Sequence, residues 1–276
     1  MDITQEACSN RNSMRFEEGK QLIGQILSDF PTRKFPIILD IGCGSGNLTH
    51  VMAKLLLHET IFGIDSDPDM VTVCQNSNST TGTIKYLCQD ISQPWDQLAP
   101  ELTQLAGQVD LIVSNMTLHW VTDLDTACKN METLLKPGGA FYFNIFGINP
   151  ISISQQQYLK HKSVANQIFE MVGILHRNEL EVGRAELFYN RWPYAGKEFD
   201  VLAPIMYKMY YNLIDEAEFS KLDKIGQDEV RQEIRNGVHA AYAFDVENEA
   251  KNYVVGSGDS FCFCYYAFTI QGGKMV

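Results

Sequence analysis

The 276-residue chain has no run of lysine or arginine, and its acidic residues outnumber its basic ones 34 to 22, a formal net charge of −12. A protein that grips a phosphate backbone needs a basic face, because its cations must displace condensed counterions. The composition therefore argues against nucleic acid and anionic membrane surfaces as partners. No apolar stretch reaches the length of a bilayer span, so no membrane insertion is expected. The opening residues, MDITQEACSN, lack the apolar core of a secretory signal, and a cytoplasmic location is the expectation. There is no CxxC pair. The seven cysteines are odd in number and scattered, which points to reduced thiols rather than a disulfide framework or a zinc site. Cys262 and Cys264, two apart in FCFCYYAF, are expected on one face of a strand. Asn78-Ser79-Thr80 matches a glycosylation acceptor, idle in a protein that is not secreted. Internal repeats and low-complexity tracts are missing as well. Hydrophobic residues make up 45%, enough for one large domain or a core domain with a cap.

Two periodicities alternate through the first half. Phe16 to Phe30 carries a helical stripe of Leu22, Ile23, Ile26 and Leu27, stopped by Pro31 and Pro36. PIILDIG then reads as a buried parallel strand closed by glycine. A helix is expected over Asn47–Leu57, a strand at TIFGID, and a helix opening at Asp67-Pro68, with Asp67 as N-cap and Pro68 in the first turn. Further strands are expected at TIKYLCQD, Val109–Ser114 and Ala140–Phe146. The last is preceded by a helix over Asp123–Leu135 that Lys136-Pro137-Gly138-Gly139 ends. Such alternation builds an α/β fold, a doubly wound and mostly parallel sheet with helices on both faces. Ligands of such sheets sit at the carboxyl ends of the strands, near the switch in strand order. Asp40, Asp65, Asp90, Ser114 and Asn115 end strands and are site candidates. Asp67, Asp69, Asp110, Asp123 and Asp125 read as caps and surface charge. After residue 150 the pattern changes to helices expected over 152–172, 197–211 and about 215–244. Two further strands, LEVGRAELFY and SFCFCYYAFTI, complete the same sheet, the last with an antiparallel edge. The organisation is thus a core over 1–150 and a helical cap with closing strands over 151–276.

LDIGCGSG, residues 39–46, places Gly42, Gly44 and Gly46 directly after a strand. A dinucleotide loop needs a further glycine at position 47, which is Asn47, and a P-loop needs a Gly-Lys-Ser or Gly-Lys-Thr ending that is missing. Taken whole, Asp40-Ile41-Gly42-Cys43-Gly44-Ser45-Gly46 resembles the first motif of class I S-adenosylmethionine-dependent methyltransferases. That cofactor carries no pyrophosphate, so the loop need not cradle one. The resemblance implies that the glycines let the backbone approach the amino-acid tail and that Asp40 helps fix its ammonium. It also implies that Asp65, 19 residues past Gly46, accepts the ribose hydroxyls. Ser66 and Met70 would flank the adenosine, Asp90 would meet the adenine amine, Ile91 would line the ring, and Ser114 would complete the site. LLKPGG, residues 134–139, also looks like this superfamily. Each aspartate can instead simply cap the helix that follows its strand.

The segment SNMTLHWV followed by a helix and LLKPGG resembles a narrower set that includes trans-aconitate and malonyl-carrier methyltransferases. It resembles most the arthropod juvenile hormone acid methyltransferases, over about residues 10–150. The implied substrate is a small lipophilic carboxylic acid such as farnesoic or juvenile hormone acid. A carboxylic acid with a pKa of about 4 is already ionised at neutral pH and needs no general base. Catalysis is then orientation and exclusion of water. By the resemblance Trp120 borders the reacting carboxylate and can donate from its indole N–H. His119 can donate too, or only pin the loop, and Trp120 can equally be core packing. In Asn12-Ser13-Met14-Arg15 an arginine stands where the insect enzymes carry a glutamine that holds the carboxylate. Arg15 can bind a carboxylate bidentately, or be only the solvated start of a helix. Phe146, Ile148, Ile151, Trp192, Tyr194, Met206, Met209, Tyr210 and Tyr211 form a pool from which an apolar pocket could be built, or a plain helix core. Two readings remain beside the lipophilic acid: another small acid or carrier-bound thioester, and a cofactor-binding partner protein without catalysis. The assembly is expected to be a monomer or a homodimer.

Overall fold

The computed structural model describes residues 14–77, 82–148, 151, 154, 156–160, 163–242, 244–245 and 260–275. The chain divides into two compact units. One is Met1–Phe146 with Ile168–Phe188 and Ala267–Val276, and the other is Gly147–Gln167 with Tyr189–Tyr266.

Eight strands form one sheet: β1 (Lys34–Ile41), β2 (Leu57–Asp65), β3 (Ile84–Cys88), β4 (Val109–Asn115), β5 (Leu135–Gly147), β6 (Leu180–Ala195), β7 (Phe244–Asp245) and β8 (Ser260–Lys274). Their order is β3-β2-β1-β4-β5-β8-β6, with β7 antiparallel on β8. β1 pairs in parallel with both β2 and β4, β2 with β3, and β4 with β5. The fold is the expected mostly parallel α/β sheet with an antiparallel edge. The chain steps outward from β1 through β2 to β3, then returns to β1's other side for β4. The switch in strand order therefore lies between the carboxyl ends of β1 and β4, where such sheets hold their ligands.

Alternation along the central strands feeds two cores. Ile38, Leu111 and Val113 point to one face, where they bury Leu22, Ile23 and Ile26 of α1 (Met14–Asp29) and Leu48 and Met52 of α2 (Asn47–Leu55). Leu39 and Ile112 point to the other. There they meet Ala127, Cys128 and Met131 of α5 (Leu124–Leu134) and Met171, Ile174 and Leu175 of α6 (Val164–Arg177). The remaining helices are α3 (Pro68–Ser77), the one-turn α4 (Pro100–Thr103), α7 (Gly196–Tyr211), α8 (Glu216–Phe219) and α9 (Lys224–Tyr242).

Several expectations change: the helical region expected over about 215–244 is two helices, α8 and α9, and the helix expected over Asn47–Leu57 ends at Leu55, with Leu57 already in β2. Asp110 is not a surface charge: it is 2% exposed, accepts the Ile37 N–H at 2.8 Å and pairs with the Lys136 ammonium. A backbone donor and a cation together satisfy it, so it can be buried within a strand. Lys136-Pro137-Gly138-Gly139 does not merely end the preceding helix, because β5 already begins at Leu135. The helix expected over 152–172 begins only at Val164 and runs on to Arg177. Asp67 and Asp123 do cap: Asp67 accepts from Asp69 N at 2.9 Å, and Asp123 from Thr126 N at 3.0 Å. The Asn78–Thr80 acceptor and the N-terminal residues before Met14 lie outside the described residues, as do the side chains of Trp192, Tyr194, Cys262 and Cys264. Ile151, Met206, Met209 and Tyr210 of the apolar pool are buried.

Candidate cofactor and substrate site

The loop after β1 is shaped from both sides. Gly42, Gly44 and Gly46 have φ of +74°, +53° and +76°, the left-handed region that L side chains avoid. A Cβ on Gly42 would stand 2.0 Å from Thr117 Oγ1, and one on Gly46 would stand 2.4 Å from Tyr86 Oη. A Cβ on Gly44 would meet nothing within 4 Å. The loop is thus packed from behind at its two ends and open at its middle, where a ligand can reach bare backbone.

Asp65 holds the loop in place. Its Oδ2 accepts the Gly44 N–H at 2.9 Å and its Oδ1 accepts the Asp67 N–H at 2.9 Å. Burial raises its pKa above the usual carboxylate range. Ser66 beside it is exposed. Met70 is buried in the first turn of α3. Asp40 lies deeper, 2% exposed, and accepts the Thr49 hydroxyl at 2.6 Å. Burial, with a smaller contribution from the nearby Asp65 charge, pushes its pKa up to about 7. In the unfolded chain the same carboxyl titrates near the ordinary 3.8, so the folded form holds the extra proton between those two values. Asp40 is then expected to make stability fall as pH rises from about 4 through about 7, with the loss complete above it. Denaturant unfolding across this window should show that slope in wild type and a flatter one in Asp40→Asn.

The other candidates make structural contacts of their own. Asp90 accepts from Ser92 N at 2.8 Å and Ser92 Oγ at 2.7 Å, which folds the turn after β3. Ile91 is 3% exposed and packs in the core, with its carbonyl held by Asn130. Ser114 is fully buried, and its hydroxyl donates to Ile41 O at 3.0 Å across the sheet.

The segment leaving β4 packs on the loop through Thr117, whose hydroxyl donates to Gly42 O at 3.4 Å. Met116 has φ +53°, a left-handed conformation unusual for a non-glycine residue, and its N–H donates to Asn144 O at 2.7 Å. A short helical turn, Leu118–Trp120, follows. His119 has its ring centroid 5.3 Å from that of Trp120 and 5.7 Å from that of Phe146. The Phe146 N–H donates to His119 Nδ1 at 3.4 Å. Burial first, and the Arg15 charge second, drop its pKa to about 3. His119 is therefore neutral at physiological pH, and with Nδ1 accepting, its proton resides on Nε2. It is a hydrogen-bond donor and not a cation. Arg15 lies in the first turn of α1, close enough for its charge to reach that imidazole, and its carbonyl accepts from Asn115 Nδ2 at 2.9 Å. The structure thus brings Arg15 and Trp120 to His119, three residues from two distant stretches.

Four residues of the site have no sequence signal of their own. Thr49, Thr117 and Tyr86 support the loop, and Asn144 links Asn115 to the buried Glu18 through its amide, at 3.3 and 3.4 Å. Only Thr49 stands out in retrospect, as a fully buried hydroxyl.

The donor set suits a cofactor with a cationic amino-acid tail and a ribose diol: two acids in reach of each other, bare backbone at Gly44, and no cluster of three potential metal ligands among the described residues. Residues 39–143 match the family model described as a methyltransferase domain. Over 127 residues, 46% of this chain, the sequence is 32% identical to the malonyl-[acyl-carrier protein] O-methyltransferase of Priestia megaterium, and covers 42% of that protein. Over 138 residues, 49% of the chain, it is 34% identical to the mitochondrial arginine-hydroxylase NDUFAF5 of Rattus norvegicus, and covers 36% of it. The chain thus spans less than half the length of these curated relatives. A solved structure of Haemonchus contortus phosphoethanolamine N-methyltransferase 2 with S-adenosyl-L-methionine superposes with a TM-score of 0.51 at 15% identity, over 93% of this chain and 53% of that one. Residues 39–143 thus match a methyltransferase domain, set on a Rossmann-like fold shared with a solved structure that holds S-adenosyl-L-methionine.

Proposed function

We propose that the protein esterifies the carboxylate of a small lipophilic acid with the methyl group of S-adenosyl-L-methionine. The observation that carries this reading is the neutral His119, its Nδ1 occupied by the Phe146 N–H and its Nε2–H available as a donor, with the Arg15 charge beside it. A carboxylate nucleophile needs donors and a cation to orient it, and no base to activate it. That is what Arg15, His119 and Trp120 supply. A hydroxyl or amine substrate would call for a proton acceptor, and His119 at a pKa of about 3 is a poor one.

Glycines 42, 44 and 46 with Asp65 would hold the cofactor, and Asp40 would stabilise its ammonium end. When bound, the cofactor supplies an electrophilic methyl group. The chain's own part is to align the acid and keep water out. A second reading replaces the lipophilic acid with a short acid carried as a thioester, the chemistry named for the Priestia megaterium relative. Both are carboxyl methylations and use the same three residues. Against a docked acidic carrier stands the net charge of −12. The arginine-hydroxylase relative cautions that this fold serves several chemistries, so the site and not the fold must carry the assignment.

The test is an assay with methyl-labelled cofactor against farnesoic acid, juvenile hormone acid, straight-chain fatty acids, trans-aconitate and a malonyl thioester. Ester from a lipophilic acid, lost in Trp120→Ala, is the expected result. Turnover of the malonyl thioester alone would move the substrate to the second reading. Cofactor binding with no acid turned over would overturn carboxyl methylation altogether.

A further inference from the structure

Strand β6 ends the sheet order beyond β8, and among the described residues no strand pairs with its outer side. From Gly183 to Tyr189 every residue is exposed, including Leu187 at 46% and Phe188 at 37%. A long edge with apolar residues on both faces templates the addition of another strand, and proteins usually blunt it with proline, lysine, a bulge or a cover. Residues 182–188, VGRAELF, contain neither proline nor lysine.

We propose that this edge pairs antiparallel with β6 of a second copy, about a two-fold axis through Ala185. The sequence selects both the partner and the register. A two-fold axis perpendicular to a continuous sheet keeps each side chain on its own face, so it must pass through a residue position rather than between two. An axis at Arg184 sets two guanidiniums opposite each other, and an axis at Glu186 sets two carboxylates opposite each other, both unfavourable. With the axis at Ala185, Arg184 faces the partner's Glu186, twice by symmetry. Within residues 182–188, where Arg184 and Glu186 are the only charges, no other axis from Gly183 to Leu187 opposes unlike charges. The same register sets Val182 against the partner's Phe188 and Gly183 against the partner's Leu187, which covers the exposed apolar residues. Arg184 is 3.9 Å from Asp29 and 47% exposed, a long contact that leaves its guanidinium able to reach across the edge. The small Ala185 at the axis lets the two backbones approach.

Sedimentation equilibrium of the full chain tests this. Wild type should be a dimer, and Arg184→Glu and Glu186→Arg should each weaken dimerisation on the order of tenfold or more, since each creates two like-charge pairs. The double variant, Arg184→Glu with Glu186→Arg, restores opposite charges in this register and should restore the dimer. Calorimetric cofactor binding, unchanged in all three variants, would show that they fold. A monomeric wild type, single variants that dimerise as well as wild type, or a double variant no tighter than the singles would overturn the proposal.

Discussion

Gly46→Ala is expected to lower the unfolding free energy by about 2–5 kcal/mol and to abolish measurable cofactor binding. Two costs add. The residue has φ +76°, where a Cβ costs about 1–2 kcal/mol. The new methyl would also stand 2.4 Å from Tyr86 Oη and 3.1 Å from Cys74 Sγ, and forcing an extra methyl into a packed site costs about 1–3 kcal/mol. The same ring also packs over Gly63, so shifting it would disturb a second contact. Gly44→Ala separates folding from binding. It has φ +53° and open space around the new methyl, so it carries only the backbone cost, about 1–2 kcal/mol. Its methyl would occupy the open middle of the loop, however, and cofactor affinity should fall by on the order of tenfold or more as the backbone is held away from the ligand. Denaturant unfolding and calorimetry on the two variants read the two effects. A Gly44→Ala protein that binds cofactor like wild type would remove this loop from the binding surface.

Arg15→Ala is expected to reduce kcat/KM for the acid substrate on the order of 100-fold while leaving cofactor affinity unchanged. On the carboxylate reading, the guanidinium supplies a charge-assisted pair to the acid in a partly desolvated setting, and removing one member of such a pair costs about 2–5 kcal/mol. Arg15→Lys should recover only part of the loss, since an ammonium cannot give a planar bidentate contact. The same substitution has a readout independent of turnover. The Arg15 charge is the lesser cause of the low His119 pKa, and burial is the greater. Arg15→Ala should therefore raise the imidazole pKa from about 3 while leaving it below the ordinary 6.5, measured by NMR titration. In both proteins kcat/KM should lack a histidine inflection near neutral pH. An unchanged kcat/KM in Arg15→Ala would reduce the residue to the first turn of α1.

The features legible in the sequence were those carried by short-range pattern. Apolar runs closed by Gly or Asp marked the ends of β1 and β2, and Asp67 and Asp123 announced their helices through side chains that reach only two or three residues ahead. Glycine at positions 42, 44 and 46 permits the positive φ found there. What escaped depends on partners far along the chain. Asp110 looked like surface charge because the N–H that satisfies it belongs to Ile37, 73 residues away. The place of Ser114 at a strand end is legible, whereas its bond to Ile41 O, also 73 residues away, is not. The left-handed Met116 is invisible to pattern, since nothing about a methionine favours φ +53°, and the surrounding structure imposes it. Arg15 meeting His119 is likewise a product of topology, which returns α1 to the carboxyl end of β4.

The ring of Tyr86 fills the volume that side chains at two other positions would need, the hydroxyl end at Gly46 and the ring edge, at 2.6 Å, at Gly63. Gly63 lies in β2 without a positive φ, so its backbone would accept alanine, and the aromatic ring is the main obstacle, with Cys43 Cβ a tighter-than-ordinary neighbour at 3.2 Å. The order in which these positions can change is therefore biased. A lineage acquires a side chain at position 63 more readily after Tyr86 has become smaller than before, and the two substitutions are more harmful in one sequence of events than in the other. Gly46 has no such route, because relieving the clash leaves its left-handed backbone in place. One tyrosine thus makes one glycine historically contingent, while the loop's own geometry keeps a standing cost on replacing the other.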